Sequence, residues 1–363
     1  MVLKKMEKTF LFKKLAKNHV RCLSCQRYCQ ILPGKTGFCL TKLNKNGILY
    51  SLNDDLLNGP PQIDPVEKKP FYHFLPGTKT LSIGSFGCNY RCRQCLNWWC
   101  SWGEPATTVL KKLAQGKSSQ RALFAAPQQL IDLCLKLKLP SIAFTYNEPV
   151  VWLEYALKIA KLARKNDLKT LFVTNGSWSK EALDKIGPYI DAANIDFKAF
   201  SEKTYQKMGA FWGNLTEMAK YAQKKHKIFL ELTTVLIPTI NDSPSGLKKM
   251  ATWIVRNLGP KTPWHLSGYS PQLAPDKNFA QLLPPTATQL KKAQKIGLEE
   301  GLEFVYIWAP DVNLAEGNTV CPKCDTLAIR RDLWQPEILA VNKKGKCAQC
   351  GEDLNVLLAI NQP

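Results

Sequence analysis

The feature that most constrains the fold is the alternation of short apolar runs with helix-like segments between residues 81 and 308. The segment between the second and third runs (149–166) has apolar residues at three- and four-residue steps, which is typical of an amphipathic helix. Strands separated by such helices predict a parallel sheet with crossover connections. We count about six strand–helix units plus a final run, which favours a partial barrel over a closed eightfold one. The runs are LSIGSF (81–86), SIAFTY (141–146), TLFVTN (170–175), AANIDFK (192–198), IFLELTTVLIP (228–238), WHLSGY (264–269) and EFVYIW (303–308).

Cysteine-rich segments flank this central region on both sides. We therefore predict a cysteine-rich N-terminal head (1–75), the partial barrel (76–310) and a C-terminal four-cysteine domain (311–363). Within the centre, residues 103–127 form a longer connection than usual and are interpreted as a lid or an insertion.

The thirteen cysteines favour metal binding over disulfides. No apolar run has the length of a signal peptide core or a membrane span, so we expect a cytoplasmic protein with no membrane contact. A reducing compartment keeps thiols free, and thiolates are good ligands for soft metals. Twelve of the cysteines fall into three groups of four.

The formal net charge of +21 is best explained as a solvated lysine surface. Basic surfaces can attract nucleic acid, but these lysines are spread over many segments and no arginine-rich tract occurs. We therefore do not expect nucleic acid as a partner.

Three cysteines with C-x3-C-x2-C spacing directly follow the first apolar run. Cys88, Cys92 and Cys95 would place their sulfurs at the carboxyl end of the sheet, where such folds carry their chemistry. Three thiolates leave one iron of a [4Fe-4S] cluster without a protein ligand, whereas a structural zinc site, the alternative, takes four ligands. The nearby Cys100 would close that open site, so we predict that Cys100 is a buried structural thiol, as is Cys134.

The motifs resemble those of the radical S-adenosylmethionine (SAM) superfamily, and more narrowly the AmmeMemoRadiSam system radical SAM enzymes, near the pyruvate formate-lyase activating enzymes. The resemblance implies an α/β fold with a partial (βα)6-type TIM barrel of the radical SAM kind. It further implies a [4Fe-4S] cluster and SAM, whose reductive cleavage gives a 5'-deoxyadenosyl radical that acts on an unknown substrate. The segments that carry it are the cysteine head, CNYRCRQCLNW, FTYNEP, FVTNG, DAANIDFKAFSEKTY, LTTVLIP with IND, GPKTPWH and GNTVCPKC.

The same resemblance implies partners. These are a one-electron donor such as flavodoxin or ferredoxin, and Memo-like and AMMECR-like proteins.

The resemblance also implies contacts to the methionine and ribose of SAM. Asn147 and Glu148 lie in the turn where the family holds the methionine amino group. Asn175, Asp196 and Lys198 would meet the ribose and the carboxylate. The alternatives are that Glu148 caps the following helix and that Asp196 is a strand-end turn residue.

On the adenine side, the resemblance points to His265, Gln94 and the segment 235–238. Gln94 stands where the superfamily usually has an aromatic residue that offers backbone atoms to adenine. His265 has the alternative of a structural histidine after an apolar strand. Thr239 replaces the usual glycine of a P-G-x-N-D stretch.

The two outer cysteine groups predict structural metal sites. The tail has two C-x2-C knuckles separated by a hairpin-like segment, the spacing of a zinc ribbon. The head has less regular spacing, which leaves zinc and an auxiliary iron-sulfur cluster as alternatives. The tail ligands are Cys321, Cys324, Cys347 and Cys350, and the head ligands are Cys22, Cys25, Cys29 and Cys39.

Two other functions remain open on sequence alone. One is a glycyl-radical activase, which would dock a protein glycine in the barrel mouth. The other is a zinc-dependent nucleic-acid or protein-binding module, which leaves the polar ends of the strands unexplained.

Overall fold

The computed structural model describes residues 6–309 and 314–359. The predicted boundary between barrel and tail, at residues 310 and 311, lies outside the described residues. Among the helices of the described ranges, none is long and apolar enough to cross a membrane.

The N-terminal head is built from short strands rather than helices. Two three-stranded antiparallel sheets, β1-β6-β5 and β2-β3-β4, form its framework. The strands are β1 (Glu7–Lys8), β2 (Phe12–Lys14), β3 (Val20–Cys22), β4 (Gln30–Ile31), β5 (Lys42–Lys45), β6 (Ile48–Ser51) and β7 (Leu56–Leu57).

The central sheet has eight strands in the order β16-β15-β14-β13-β12-β11-β9-β8, and β10 pairs with β7 outside it. All neighbouring pairs are parallel except the edge pair of β8 and β9. The strands are β8 (Gln62–Pro65), β9 (Lys79–Ile83), β10 (Leu123–Phe124), β11 (Ser141–Phe144), β12 (Lys169–Thr174), β13 (Ala192–Asp196), β14 (Phe229–Leu236), β15 (Trp264–Gly268) and β16 (Val305–Trp308).

Helices connect the successive parallel strands. The predicted order of six strand–helix units and a final strand is confirmed, and in the described residues the two edge strands do not pair, so the sheet is open. The helices are α1 (Trp98–Ser101), α2 (Ala106–Ala114), α3 (Pro127–Lys136), α4 (Leu153–Lys165), α5 (Lys180–Ile186), α6 (Glu202–Lys207), α7 (Leu215–His226), α8 (Pro244–Asn257), α9 (Lys277–Ala280) and α10 (Ala287–Glu299).

Burial follows the predicted helical period. In α4 the apolar residues at three- and four-residue steps, such as Ala156, Ile159 and Ala163, are fully buried against the sheet. The long connection 103–127 contains α2, whose buried Val109 and Leu110 belong to a small core with Phe86 and Cys100. That connection therefore packs on the protein through an apolar helix face.

The C-terminal tail is a three-stranded antiparallel sheet with its own small core. The hairpin predicted between the cysteine knuckles is confirmed by the pairing of β18 with β19. The Tyr72 and Tyr306 rings join this core from outside the tail. The strands are β17 (Thr319–Val320), β18 (Leu327–Asp332) and β19 (Gln335–Ile338).

Candidate functional site: a thiol-lined cavity at the carboxyl edge of the sheet

Three thiols converge on one cavity at the carboxyl ends of the parallel strands. Cys88, Cys92 and Cys95 line this cavity, which has a volume of about 360 Å³ and is called the cysteine cavity below. Burial raises the pKa of each thiol to about 12. The thiols are therefore protonated at neutral pH until a metal displaces the protons.

The loop that carries these thiols (residues 87–95, the cysteine loop) is held by backbone hydrogen bonds on both sides. The Gly87 N–H donates to the Cys100 carbonyl at 2.9 Å, and the Arg91 N–H donates to the Gly209 carbonyl at 3.0 Å. Gly87 has a φ of +96°, and an ideal Cβ there would lie 2.3 Å from Thr41 Cγ2. Only glycine fits this position, because a side chain would collide with the head.

Glu148 lies in the same cavity and is almost completely buried, with 3% exposure. Its carboxylate accepts hydrogen bonds from the Val150 N–H (3.1 Å), the Asn175 N–H (2.7 Å) and the Thr174 hydroxyl (2.8 Å). Burial outweighs these donors and raises the pKa of Glu148 to about 7. Glu148 thus caps the turn that follows β11 and also presents a carboxyl group to the cavity.

Asn147 and Asn175 also line the cysteine cavity, but their side-chain amides hold the surrounding loops. The Asn147 amide donates to the Gly87 carbonyl at 2.6 Å. The Asn175 amide donates to the Asn89 side-chain oxygen at 2.9 Å. Both residues therefore fix the position of the cysteine loop.

Asp196 and Lys198 form an ion pair at the end of β13, with a distance of 2.9 Å between Nζ and Oδ2. Both residues line the cysteine cavity. Burial alone would lower the pKa of Lys198, but Asp196 and the neighbouring Cys92 outweigh it and raise the pKa. The ammonium group stays charged and offsets part of the rise that burial causes in the pKa of Cys92.

Two buried polar atoms of the cavity wall have no hydrogen-bond partner among the described residues. They are Gln94 Oε1 and Thr233 Oγ1, and both residues line the cysteine cavity. Buried polar atoms are normally paired, so these two suit a polar ligand in the cavity.

His265 does not line the cysteine cavity. It lines a neighbouring cavity of about 280 Å³, called the aromatic cavity because Tyr72, Tyr306, Trp308 and Trp334 form much of its wall. His265 Nε2 lies 2.7 Å from an oxygen of the fully buried Glu231. The two cavities adjoin each other, because Lys68 and Thr233 belong to the walls of both.

In the turn after β14, Thr239 has a positive φ, which is the conformation that glycine adopts most readily. Thr239 has a φ of +67°, in the left-handed region that a β-branched residue rarely adopts. The Asp242 carboxylate accepts from the Thr239 N–H at 2.9 Å, and the Asn241 amide donates to the Lys198 carbonyl at 2.7 Å. Thr239 therefore adopts a backbone conformation that glycine favours.

Sequence reasoning missed Thr233, described above, and three further residues around the cavity. Lys68 and Lys69 line it from the segment between β8 and β9, and neither lies in a motif. Asn89, inside the C-x3-C spacing, donates through its amide to the Ser177 hydroxyl at 2.6 Å. Asn89 lies between Cys88 and Cys92 in the sequence, and this position alone could have marked it as a residue of the site.

A family model described as the radical SAM superfamily matches residues 82–250. This range of the chain is a radical SAM superfamily domain. The matched range begins in β9, includes the cysteine loop and ends in α8, so it contains all of the cavity residues from Cys88 to Val235.

Several other proteins resemble this radical SAM chain. An uncharacterized protein of Methanocaldococcus jannaschii is 32% identical over 354 residues, covering 97% of this chain and 100% of that protein. A radical SAM methyltransferase from Sphaerobacter thermophilus is 14% identical, with 65% of this chain and 67% of that chain covered and a TM-score of 0.47. A domain of a pyruvate-formate lyase-activating enzyme from Bacteroides vulgatus is 16% identical, with coverage of 46% and 98% and a TM-score of 0.39.

The cavity of this radical SAM protein fits a cluster with three protein ligands. Cys100 is fully buried, as predicted, and its thiol donates to the Asn97 carbonyl at 3.3 Å instead of lining the cavity. Cys134 is likewise fully buried, within α3. Family membership implies a [4Fe-4S] cluster and SAM, and the three thiols with the two unpaired polar atoms supply suitable contacts.

The tail thiols of the protein are gathered much more tightly. Cys321 Sγ lies 3.6 Å from Cys350 Sγ, and Cys324 Sγ lies 3.7 Å from Cys347 Sγ. All four sulfurs lie within 4.8 Å of one another. A tetrahedral zinc ion with bonds of about 2.3 Å places its sulfurs at about this separation.

Proposed function

We propose that this protein is an enzyme that reductively cleaves SAM at a [4Fe-4S] cluster held by Cys88, Cys92 and Cys95. The observation that carries the proposal is the convergence of these three buried thiols on one cavity whose wall contains no fourth thiol among the described residues. The cluster would supply one electron to bound SAM, and the resulting 5'-deoxyadenosyl radical would take hydrogen from a substrate.

The surrounding residues would bind and orient SAM. Glu148 would hold the methionine amino group, because its carboxyl group is buried beside the thiols and, once ionised, has the charge that pairs with an ammonium. The ammonium of Lys198, fixed by Asp196, suits the methionine carboxylate. Gln94 Oε1 and Thr233 Oγ1 are both unpaired in the described residues: Gln94 Oε1 would accept a hydrogen bond from the nucleoside, and the Thr233 hydroxyl would accept or donate one.

The aromatic cavity is the proposed place for the substrate. It adjoins the cysteine cavity through the shared Lys68 and Thr233, and its rings would exclude water from a reactive intermediate. His265, which the resemblance placed at adenine, lies on the substrate side in this proposal.

The finer predictions from the resemblance are part of the same proposal. They are the AmmeMemoRadiSam assignment, a sheet curved as a partial barrel, a cytoplasmic location, and Memo-like and AMMECR-like partners. A one-electron donor such as flavodoxin or ferredoxin would reduce the protein, and the net charge of +21 favours an acidic donor.

We propose zinc for the tail. The sulfur separations of 3.6 Å and 3.7 Å support a mononuclear tetrahedral site.

Electron paramagnetic resonance tests the proposed function. The anaerobically reconstituted and reduced protein should show a [4Fe-4S] signal that changes when SAM is added, because SAM binds the open iron. Cys92→Ala should lose the SAM-responsive signal, and Cys100→Ala, the matched control, should keep it. A wild-type signal that is indifferent to saturating SAM would contradict the proposal.

A further inference from the structure

The four thiols of the head line a single cavity against the sheet. Cys22, Cys25 and Cys39 are buried and Cys29 is half-buried, and all four are free thiols. Asn89 from the cysteine loop, Val150 and Val151 also line this cavity, which is called the head cavity below. Four thiols that are up to seventeen positions apart in the chain thus surround one space.

In the described residues, neither the head thiols nor the thiols of the cysteine loop gather as tightly as those of the tail. The four tail sulfurs lie within 4.8 Å of one another, and in the described residues no other cysteine group gathers three or more ligand atoms this closely. A mononuclear zinc ion requires that closeness, because all four thiolates bind one atom. A cubane cluster gives each thiolate its own iron, so its ligands stand further apart around a central space.

The head cavity touches the cysteine loop at two places. The Arg27 side chain donates to the Asn89 carbonyl at 2.5 Å, and Asn89 follows Cys88 directly in the chain. On the other side of Cys88, an ideal Cβ on Gly87 would lie 2.8 Å from the Cys39 carbonyl oxygen. The residues on either side of Cys88 in the cysteine loop therefore lie against Arg27 and Cys39 of the head.

We propose that Cys22, Cys25, Cys29 and Cys39 hold an auxiliary [4Fe-4S] cluster that relays electrons to the cluster of the cysteine loop through residues 87–89. A one-electron protein donor reduces the head cluster. The head cluster then passes that electron to the loop cluster and returns to its oxidised state, and no bond or proton changes in the transfer. The relay rests on the proposed function for its acceptor, whereas the head cluster does not.

Metal analysis and spectroscopy of the anaerobically purified full-length chain test the head cluster. Wild type should contain about eight irons and one zinc, from four irons per cubane and one zinc per four-thiolate site. The variant with Cys88, Cys92 and Cys95 replaced by alanine should keep about four irons in a cluster whose resonance signal does not respond to SAM. Cys25→Ala combined with Cys39→Ala should lose about four irons, and Cys134→Ala, the control, should lose none.

Two zincs with four irons in wild type, or no iron in the triple loop variant, would overturn the head cluster. The triple variant leaves the head intact, so a head variant that fails to fold does not block the test. Wild type with two clusters but no SAM cleavage would overturn the proposed function and leave the head cluster standing.

Two reductants separate the relay from a purely structural cluster. With reduced flavodoxin, the head variant should form 5'-deoxyadenosine far more slowly than wild type. With titanium(III) citrate, a small reductant that can reach the loop cluster directly, its rate should fall by a much smaller factor. Equal losses with both reductants would contradict the relay.

Discussion

At the scale of single residues, Glu148 combines two duties that sequence reasoning treated as alternatives. It accepts from the Val150 and Asn175 N–H groups, which is a capping role, and it lines the cysteine cavity. Burial raises its pKa to about 7, so its charge changes within the physiological range. A buried carboxyl group with such a pKa is suited to binding an amino group.

Glu148→Gln should keep the cluster but weaken SAM binding. The amide still accepts hydrogen bonds at the cap but lacks the charge, and a charged hydrogen bond contributes about 1.5–3 kcal/mol, so Kd should rise by about tenfold or more. Isothermal titration with SAM measures this change.

The pH dependence provides a second check on Glu148. Because its pKa lies near 7, the carboxylate is ionised at pH 8 and largely protonated at pH 6. Wild-type affinity should therefore fall on acidification more than that of Glu148→Gln. If wild type and Glu148→Gln bound SAM with equal affinity at pH 8, Glu148 would have only the capping role.

At the scale of elements, a fully buried ion pair fastens the head to the sheet domain. Lys42 in β5 pairs with Glu154 in α4, and the Thr9 hydroxyl donates to the same carboxylate. Thr41 adds a hydrogen bond from its hydroxyl to the Val151 carbonyl at 2.8 Å. These contacts set the distance between the head cavity and the cysteine loop.

Lys42→Met should destabilise the protein by about 3–5 kcal/mol, because it leaves the Glu154 carboxylate buried without its partner. The double variant Lys42→Met, Glu154→Leu should recover most of this loss, since it removes both charges. Urea unfolding under anaerobic conditions measures both values. A single variant as stable as wild type would show that the pair does not fasten the head.

The elements that could be predicted from sequence are those with a local pattern. Apolar runs and helical periods predicted the order from β9 to β16, which is confirmed. Lys68, Lys69 and Tyr72 could not be assigned to cavities, because they reach them from a segment without a motif. The amides of Asn147 and Asn175 bind loops far away in sequence, and such long-range hydrogen bonds leave no periodic signal.

At the scale of the whole molecule, the tail thiols differ from the other two thiol sets in how tightly they gather. The tail set packs in a small core that includes Tyr72 and Tyr306, two residues of the aromatic cavity wall. Arg331 of the tail donates to the Tyr72 carbonyl at 2.6 Å. A metal in the tail would therefore support the wall of the proposed substrate site as well as the tail itself.

Cys347→Ala should remove one zinc per chain and lower the stability of the tail. The reason is that a segment this small gains much of its folding free energy from metal binding. Zinc analysis measures the loss, and limited proteolysis should then cut near residues 327–338 (β18 and β19). Wild-type protein without zinc, or a variant as resistant to protease as wild type, would contradict a structural zinc site.

The central claim is that this protein cleaves SAM reductively at the cysteine loop. The most direct measurement is chromatographic detection of 5'-deoxyadenosine after the anaerobically reconstituted protein is mixed with dithionite and SAM. We expect 5'-deoxyadenosine and methionine from wild type and from Cys100→Ala, and neither product from Cys88→Ala, Cys92→Ala or Cys95→Ala. Full cleavage by any one of these three variants, or none by wild type with its cluster intact, would contradict the account.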